Sequence, residues 1–361
     1  MCGITGAFIF SEKQHGLLSK VNHSNDLLRK RGPDGGNVFM GRHCALGHRR
    51  LSIIDTSDRA SQPMTDESGR YTIIFNGEIF NYRELRETCF PGRQNWKSES
   101  DTEVLLELFK SHGKNCLPLL SGFFAFAIYD AQENSLFIAR DRFGKKPLHY
   151  FCNDEFLVFA SEMKALLNYD IPKEINYTTL YQFLQLNYVP QPQSILKDVS
   201  KLPAGSYMLV KNGELKIKTW YTITPDRKAA NLSYADACRE LEKRLDASVQ
   251  KRMISDVPLG AFLSGGIDSS VVVALASRHT DQLNTYSIGY KDNPFFDETK
   301  YARLVADKYK TNHTVFSLTN NDLLEHIHDI LDYIDEPFAD ASAIPFFILS
   351  QQTRRHVTVA L

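Results

Sequence analysis

The amino-acid sequence predicts two domains of different fold class, a sheet-dominated α+β domain followed by an α/β domain with a parallel sheet. Three observations support this prediction. The 361 residues exceed the usual size of a single hydrophobic core. Short segments rich in Ile, Phe, Tyr and Val, which are typical of strands, dominate the first half. In the second half strand-like and helix-like patterns alternate, which is typical of a parallel sheet covered by helices.

A turn-rich stretch over residues 190–232 predicts the connection between the domains. It carries Pro and Gly at short intervals, and these residues interrupt both strands and helices. We place the boundary near residue 210, so the predicted domains span residues 1–210 and 211–361.

The first domain is predicted to contain several strands separated by turn-forming pairs such as Asn134-Ser135 and Asn153-Asp154. The predicted strands are residues 2–10, 71–80, 123–129, 135–140 and 155–160. A helix is predicted to start at Asp101, because the apolar residues of 104–109 recur at helical spacing. One face of this helix is expected to cover a sheet.

The second domain is predicted to begin with a helix, since Ser233 and Asp236 have the spacing of a capping box. Leu241, Leu245 and Val249 then follow four residues apart. The remaining predicted elements are strands at 259–264, 284–290, 313–318 and 356–361, and helices at 268–279, 297–310 and 320–335.

The composition favours a globular protein with small-molecule partners. With 43% hydrophobic residues, 24% charged residues and a formal net charge of −1, the chain lacks a polybasic surface for nucleic acid and an acidic tail. We find neither a signal-peptide core nor a long apolar run, which argues against secretion and membrane spanning and favours the cytoplasm. The six cysteines have no paired spacing and are expected to be reduced thiols.

Cys2 is a candidate nucleophile. Removal of Met1 would leave Cys2 with a thiol and a free α-amine on the same residue. The reference pKa values of these two groups are about 8.5 and about 7.7–8.0, so each can exchange a proton near neutral pH. A cysteine at position 2, taken alone, is usually there by chance, so the interpretation of Cys2 depends on the motifs that follow.

The segment Ser264–Ser270 predicts an anion site. It follows a strand and precedes a helix, so glycine backbone N–H groups, two hydroxyls and a helix N-terminus are available to one ligand. The loop lacks the Lys of a Walker A motif, which favours attack at the α-phosphorus of ATP with the loop binding the departing pyrophosphate. Asp268 is placed either to hold Mg²⁺ or to cap the helix.

Nine short stretches of the chain resemble glutamine-dependent asparagine synthetases, in the order in which that family carries them. In the first half these are Met1–Ile4, Arg31–Asp34, Gly47–Asp55, Asn76–Asn81 and Ser100–Glu103. In the second half they are Asp256–Pro258, Ser264–Ser270, Asp335–Phe338 and Asp340–Pro345. The resemblance implies an N-terminal-nucleophile (Ntn) hydrolase with an αββα sandwich, followed by a PP-loop ATP pyrophosphatase domain.

In the first domain the resemblance implies a glutaminase site. Cys2 would attack the side-chain amide of glutamine, giving a γ-glutamyl thioester and ammonia, while the Asn76 amide and the Gly77 N–H hold the oxyanion. Arg50 would clamp the α-carboxylate with its planar guanidinium. The other implied glutamine contacts are the backbone of Leu51, Ser52, Ile53 and Ile54, and the carboxylates of Glu78 and Asp101 for the α-ammonium. From the residues alone, Arg49 and Arg50 can also be solvated surface charges and Asp101 a helix N-cap.

In the second domain the resemblance implies that ATP and Mg²⁺ bind and that aspartate is activated as β-aspartyl-AMP. Leu263 and Ile288 would flank the adenine. The phosphates would lie on Ser264, Gly265, Gly266, Asp268, Ser269 and Ser270, with Asp268 as a metal ligand. Ammonia released at Cys2 would reach this site through an internal passage. A homodimer is one possible assembly. Asp335, Glu336 and Asp340 are expected either in the active cleft or as capping and turn residues.

The resemblance stops at the last residues, Val359–Leu361. The family continues there with a Ser-Gly-x-Gly-x-Asp-Glu loop and a helical region, so we expect a truncated chain that retains mainly glutamine hydrolysis. Two other functions stay open. One is an amidotransferase that acts on another carboxylate, such as a sugar acid of a surface polysaccharide, and the other is a non-catalytic glutamine-binding module. Closure of a β-lactam ring would not need Cys2.

Overall fold

The computed structural model describes residues 1–225 and 231–361, and the chain divides into two units. The first unit comprises Met1–Ile223 together with Asp335–Ala339, and the second comprises Thr224–Ile334 and Asp340–Leu361. A short segment late in the sequence therefore belongs to the first unit.

The first unit contains two six-stranded sheets whose paired strands are all antiparallel. The strands are β1 Gly3–Ile9, β2 Gly35–Met40, β3 Cys44–Arg50, β4 Met64–Thr65, β5 Tyr71–Ile79, β6 Gly122–Asp130, β7 Ser135–Arg140, β8 His149–Cys152, β9 Phe156–Ala160, β10 Val199–Lys201, β11 Ser206–Lys211 and β12 Glu214–Thr219. The order across the first sheet is β10-β8-β9-β1-β3-β2, and across the second sheet β12-β11-β7-β6-β5-β4. The helices are α1 His15–Leu27, α2 Tyr82–Cys89, α3 Asp101–His112, α4 Met163–Leu166 and α5 Tyr177–Leu186.

The two sheets pack face to face around one buried core. Phe8 and Leu46 of the first sheet belong to the same buried cluster as Ile138 of the second. Helices α1 and α4 cover the outer face of the first sheet. Helix α3 covers the outer face of the second, where the rings of Phe109 and Phe137 are 4.9 Å apart. This arrangement is the predicted αββα sandwich.

All five strands predicted for this unit are present, as β1, β5, β6, β7 and β9, and the predicted helix is α3. Strand β1 is buried along its whole length because both faces of its sheet are covered. The sequence analysis did not predict the shorter strands. In β2 the pair Gly35-Gly36 lowers strand propensity, and β8 has only four residues.

The first unit extends beyond the predicted boundary at residue 210. That residue lies inside β11, which pairs with β7 on one side and with β12 on the other, so the β11–β12 hairpin completes the second sheet. Gly205 and Gly213, whose φ angles are +61° and +76°, make turns before and within this hairpin rather than a linker. The N-terminal stretch of the first unit therefore ends at Ile223. Residues 226–230 of the predicted connection lie outside the described residues.

The second unit is built on a four-stranded parallel sheet, as predicted. Its strands are β13 Leu259–Phe262, β14 Asn284–Tyr290, β15 Asn312–Leu318 and β16 Val359–Ala360, in the order β15-β14-β13-β16. Its helices are α6 Tyr234–Arg252, α7 Ile267–Ala276, α8 Thr299–Tyr309, α9 Asn320–Glu325, α10 Ile327–Leu331 and α11 Ala343–Thr353.

Helices lie on both faces of this parallel sheet. Ala261 of β13 belongs to a buried cluster with residues of α6, α7 and α8. The next residue, Phe262, points to the other face because side chains alternate along a strand. There its ring is 5.4 Å from that of Phe346 in α11. The sheet is therefore covered on both faces, as is typical of a parallel sheet.

Two predicted elements of the second unit differ from the structure. The helix predicted at 320–335 is two short helices, α9 and α10, which meet at His326, where the ring bonds to the Asp329 carboxylate. The last strand has two residues instead of the predicted six. The predicted cap at Ser233 is present, since its hydroxyl accepts from Asp236 N at 3.2 Å. Within the described ranges, no helix combines the length and apolar character that crossing a membrane requires.

Candidate active site

Cys2 lies where the ends of the two sheets of the first unit meet. It directly precedes β1, and Leu51 directly follows the neighbouring strand β3. The Leu51 backbone N–H donates to Cys2 Sγ at an N···S distance of 3.4 Å. We call the surrounding depression the Cys2 cleft, which is lined by Met1, Cys2, Arg50, Leu51, Ile53, Ile54, Ala60, Gln62, Phe75, Asn76, Gly77, Glu78, Ser100, Asp101, Thr102 and Lys146.

Asn76 supplies an unused hydrogen-bond donor to this cleft, and Gly77 lies next to it in the cleft wall. The Asn76 side chain is fully buried, yet its amide nitrogen and oxygen have no hydrogen-bond partner among the described residues. Such a buried orphan is costly in a folded protein unless a ligand completes it. At Gly77 a Cβ would lie 2.2 Å from the Phe123 carbonyl oxygen, so the close approach of β5 to β6 admits only glycine.

The Arg50 guanidinium fixes the loop that follows β3. Nη1 donates to the Ser57 carbonyl at 2.7 Å, and Nη2 donates to the carbonyls of Ile54 and Asp55. Arg50 also lines the Cys2 cleft. Arg49 is 8% exposed. The alternative interpretation of these two arginines as solvated surface charges is therefore wrong.

Asp101 is a buried acid in the wall of the Cys2 cleft. Its Oδ2 accepts from Ile79 N at 2.9 Å. Burial raises the pKa of the Asp101 carboxyl to about 7. The nearby Glu78 charge also raises this pKa, whereas the hydrogen bond from Ile79 N lowers it. The cap of α3 is Ser100, whose hydroxyl accepts from Glu103 N. Asp101 is therefore not the helix N-cap, which the sequence left open.

The terminal amine and the thiol are both neutralised by their surroundings while Met1 is attached. Burial lowers the pKa of the Met1 α-amine to about 5. Burial also raises the pKa of the Cys2 thiol above its usual value, although the Leu51 backbone, the amino terminus and Lys146 oppose this shift. The thiol therefore needs a base to become a nucleophile at neutral pH.

The structure gathers most of the predicted first-domain site residues in one place. Cys2, Arg50, Leu51, Ile53, Ile54, Asn76, Gly77, Glu78 and Asp101 all line the Cys2 cleft. Ser52 does not line the cleft, and its backbone N–H donates to the Asp34 carboxylate at 2.8 Å. That part of the predicted contact set is therefore not supported.

Two further residues reach Cys2 that the sequence analysis did not assign. Arg31 Nε donates to the Cys2 carbonyl at 3.0 Å, and its Nη1 donates to Glu162 at 3.1 Å. Lys146 lines the cleft from the loop after β7. Arg31 belongs to one of the family-like stretches and could have been found from it. Lys146 is far from Cys2 in sequence and in no such stretch.

The Ser264–Ser270 loop of the second unit connects β13 to α7, as predicted. Gly265 has a φ of +84°, and a Cβ there would lie 2.6 Å from Ala302 N, so the turn requires glycine. The hydroxyls of Ser264 and Ser269 bond to each other at 3.0 Å. The N-cap of α7 is Gly266, which caps without a side chain.

The Asp268 carboxylate therefore does not cap α7, and one of its two predicted roles is removed. It stands in the first turn of the helix beside the loop. No cluster of three or more His, Cys, Asp or Glu side chains that could hold a metal by themselves occurs in the described part of the chain. Mg²⁺ is commonly held by only one or two carboxylates together with substrate phosphates and water, so a lone Asp268 fits this mode of binding.

A cavity of about 1030 Å³ opens beside this loop in the second unit. Leu263, Ser264 and Ile288 line it together with the aromatic rings of Phe262, Tyr286, Tyr290, Phe295 and Phe296. The two residues predicted to flank adenine are thus in one apolar cavity. Gly265, Gly266, Asp268, Ser269 and Ser270 lie outside the lining, in the adjoining loop.

The three carboxylates of the 335–340 region are used structurally. Asp335 accepts from the backbone of Met163 and Lys164, and Glu336 accepts from Ile195 N, all within the first unit. Asp340 accepts from the backbone and hydroxyl of Ser342 at 2.8 and 2.7 Å. The alternative interpretation of these residues as capping and turn residues fits this arrangement better than an active-cleft role.

Comparison with known proteins identifies both parts of the chain. Residues 1–221 match the model of the glutamine amidotransferase domain family. Residues 240–361 match the model of the asparagine synthase family. The first match ends within two residues of Ile223, where the N-terminal stretch of the first unit ends.

Relatives align with the whole chain. It is 34% identical to asparagine synthetase [glutamine-hydrolyzing] 1 of Bacillus subtilis, an alignment that covers 100% of this chain and 57% of the relative. It is 35% identical to the putative asparagine synthetase [glutamine-hydrolyzing] 2 of Methanocaldococcus jannaschii, covering 100% of this chain and 73% of that protein. Asparagine synthetase B [glutamine-hydrolyzing] of Escherichia coli is 30% identical over 98% of this chain and 61% of its own length. The chain thus spans between about half and three quarters of these relatives.

Proposed function

We propose that this chain, which belongs to the family of glutamine-hydrolysing asparagine synthetases, hydrolyses glutamine at Cys2 once Met1 has been removed. One observation carries the proposal. The fully buried amide of Asn76 has no partner among the described residues and lines the same cleft as the Cys2 thiol. A nucleophile beside unused donors is the arrangement that an acyl-transfer reaction requires.

In the first step Cys2 Sγ attacks the side-chain amide carbon of glutamine, and the thiol proton passes to the α-amine of Cys2. The carbonyl oxygen becomes an oxyanion, which the Asn76 Nδ2 and Gly77 N–H groups stabilise. The α-ammonium then returns its proton to the leaving nitrogen, so the C–N bond breaks and ammonia leaves with a γ-glutamyl thioester behind. Water activated by the same amine cleaves the thioester, which releases glutamate and restores the thiol.

Met1 must be absent for this mechanism. While Met1 is attached, the Cys2 nitrogen is part of a peptide bond and cannot accept a proton. Met1 also lines the Cys2 cleft and occupies space beside the thiol. Burial lowers the pKa of the Met1 amine to about 5, so the environment favours a neutral amine, the form that acts as a base.

The charged end of glutamine is matched by charged groups in the cleft wall. We assign the α-carboxylate to Arg50 and the α-ammonium to Asp101 and Glu78. Because burial raises the pKa of Asp101 to about 7, an incoming ammonium would stabilise its ionised form. The backbone bonds of Arg50 to the loop after β3 keep its guanidinium in place before substrate arrives.

For the second unit we propose ATP binding, with adenine in the cavity between Leu263 and Ile288 and the phosphates on the Ser264–Ser270 loop. Mg²⁺ bound to the phosphates would be held by Asp268 and would neutralise their charge. In the complete protein the family activity is the amidation of aspartate through β-aspartyl-AMP by ammonia from Cys2. The Gly265 turn and the hydroxyls of Ser264 and Ser269 orient the loop for the pyrophosphate group.

The test begins with processed protein, whose lack of Met1 is verified by mass spectrometry. Glutamate release from glutamine is compared between wild type, Cys2→Ala and the control Cys89→Ala, which removes another half-buried thiol of the same unit. We expect release from wild type and Cys89→Ala and none from Cys2→Ala. Saturable glutamine binding without release by wild type would contradict the proposal and indicate a binding module. Pyrophosphate release with ATP, Mg²⁺ and aspartate, or with a sugar acid in its place, then tests the acceptor.

A further inference from the structure

The loop between β7 and β8 is held by a buried aspartate. Asp141 is 1% exposed, and its Oδ1 accepts from the backbone N–H groups of Phe143 and Lys145 at 3.0 and 3.1 Å. Its Oδ2 accepts from Phe124 N at 3.2 Å and Lys146 N at 3.1 Å. One carboxylate therefore fixes the loop to strand β6 and orients three of its amide groups.

A buried arginine holds the carbonyl side of the same loop. Arg140 is 6% exposed, and its Nε donates to the Lys146 carbonyl at 2.7 Å while Nη2 donates to Gly144 O at 2.8 Å. Both backbone groups of Lys146 are thus bonded to buried charged side chains. Such preorganisation is expected where a side chain must be presented in one place.

The side chain presented in this way enters the Cys2 cleft. Lys146 lines the cleft together with Cys2 and Glu78, whereas its exposed neighbour Lys145 lies over the Phe123 ring at 5.6 Å. In the described part of the chain, the Lys146 ammonium forms no ion pair. A half-buried cation on a fixed backbone, with no ion-pair partner among the described residues, acts on whatever charge develops beside it.

We propose that Lys146 is a positioning residue for glutamine hydrolysis, whose ammonium keeps the Cys2 amine in its free-base form and favours the thiolate. This inference rests on the proposed glutaminase activity. A nearby positive charge disfavours an ammonium and favours a thiolate, so both effects prepare Cys2 for attack. The proposal gives a function to the two buried charges that fix the loop.

The other charges around Cys2 set the size of this effect. On the α-amine of Met1, Arg31 acts in the same direction as Lys146, whereas Glu78 opposes them. Asp101 opposes thiolate formation at Cys2. Burial lowers the pKa of Lys146 itself, and Glu78 raises it. Without Lys146, Arg31 would be left against two carboxylates, and Cys2 would be activated only at higher pH.

The test compares processed wild type with Lys146→Met, Lys146→Arg and the matched control Lys145→Met. Two readouts are measured against pH, namely kcat/KM for glutamate release and the rate of Cys2 alkylation by iodoacetamide followed by mass spectrometry. We expect the acidic limb of both profiles to move to higher pH by about one unit in Lys146→Met, a loss of about tenfold below the limb. Lys146→Arg should restore the wild-type limb, and Lys145→Met should match wild type.

A purely structural role would lower the plateau of both profiles without moving the limb, because the position of the limb does not depend on the folded fraction. An unmoved acidic limb in Lys146→Met would overturn the inference, whether or not KM for glutamine is raised. If wild type releases no glutamate, the proposed function fails. The alkylation profile still decides the role of Lys146 in that case, because alkylation needs only the thiol.

Discussion

The Glu336 carboxylate accepts a hydrogen bond of 2.9 Å from the backbone N–H of Ile195, a residue 141 positions earlier in the chain. The same carboxylate forms an ion pair with Lys201 and lies 3.6 Å from His149 Nε2. Its side chain is 12% exposed and that of Lys201 is 14% exposed. The segment that contains Glu336 is therefore an integral part of the first unit, even though it follows most of the second unit in sequence.

Replacing Glu336 should destabilise the first unit. Glu336→Gln leaves Lys201 buried without a counter-charge, and we expect the free energy of unfolding to fall by about 2 kcal/mol. Both tryptophans, Trp96 and Trp220, belong to the first unit, so urea unfolding followed by their fluorescence reports on it. The exposed Glu325→Gln is the matched control and should unfold as wild type does. Equal urea midpoints for Glu336→Gln and wild type would contradict the prediction.

The difference in unfolding free energy between wild type and Glu336→Gln should depend on pH. Burial alone would raise the pKa of Glu336, but the bonds to His149 and Lys201 lower it below its ordinary value of 4.5. A lowered pKa in the folded state means that the carboxylate stabilises the fold above about pH 4.5 and loses this effect as the pH falls further. The urea midpoints of wild type and Glu336→Gln are therefore expected to converge below that pH.

Particular residues show how far sequence reasoning reaches. Cys2 was predicted from its own chemistry, whereas Asn76, Gly77 and Asp101 were predicted from the resemblance of their stretches to glutamine-dependent asparagine synthetases. Lys146 was not assigned, and for Glu336 an active-cleft role and a capping or turn role both stayed open, since the partners of these residues lie more than 130 positions away. Similarly, the β11–β12 hairpin looks like a linker in sequence. Its turn residues can be recognised from neighbouring residues, whereas its pairing with the distant strand β7 cannot. The αββα order was predictable, and the contacts that complete it were not.

Asn76 offers a direct test of oxyanion stabilisation. Its amide has no hydrogen-bond partner among the described residues, so Asn76→Ala breaks no bond in the free protein. We expect kcat for glutamate release to fall by about 10²–10³-fold, with little change in KM and no loss of stability. Steady-state kinetics and thermal unfolding measure the two effects. A lower Tm with proportionate loss of activity would instead indicate a structural amide.

Asp101 should make glutamine binding depend on pH. Burial raises its pKa to about 7, so the carboxyl is mostly neutral below that pH and ionised above it. Since the α-ammonium of glutamine pairs with the ionised form, KM for glutamine is expected to fall as the pH rises through about 7. Asp101→Asn keeps an acceptor for Ile79 N and should abolish this dependence while raising KM.

The same substitution should stabilise the free protein above pH 7. A carboxyl whose pKa is higher in the folded state than in the unfolded state destabilises the fold once it is ionised. Asp101→Asn removes that cost, and we expect an increase of about 1–2 kcal/mol in the free energy of unfolding at pH 8. The exposed Asp154→Asn is the control and should leave stability and KM unchanged. Loss of stability in Asp101→Asn would contradict the assignment of a strained, substrate-facing carboxylate.

Gly265 allows the phosphate loop to be tested separately from the Cys2 cleft. Its φ is +84°, and a Cβ added there would lie 2.6 Å from Ala302 N, so Gly265→Ala must displace either the loop or α8. Gly266→Ala is the matched control, because Gly266 has a φ of −69° and its Cβ would meet only Ser264 Oγ at 3.4 Å.

We expect Gly265→Ala to increase amide hydrogen exchange in β13 and α7 and to lose binding of ATP, measured by calorimetry with Mg²⁺ present. Gly266→Ala should retain wild-type protection, and glutamate release should be unchanged in both variants. ATP binding by Gly265→Ala with wild-type affinity would show that the nucleotide phosphates do not depend on this turn.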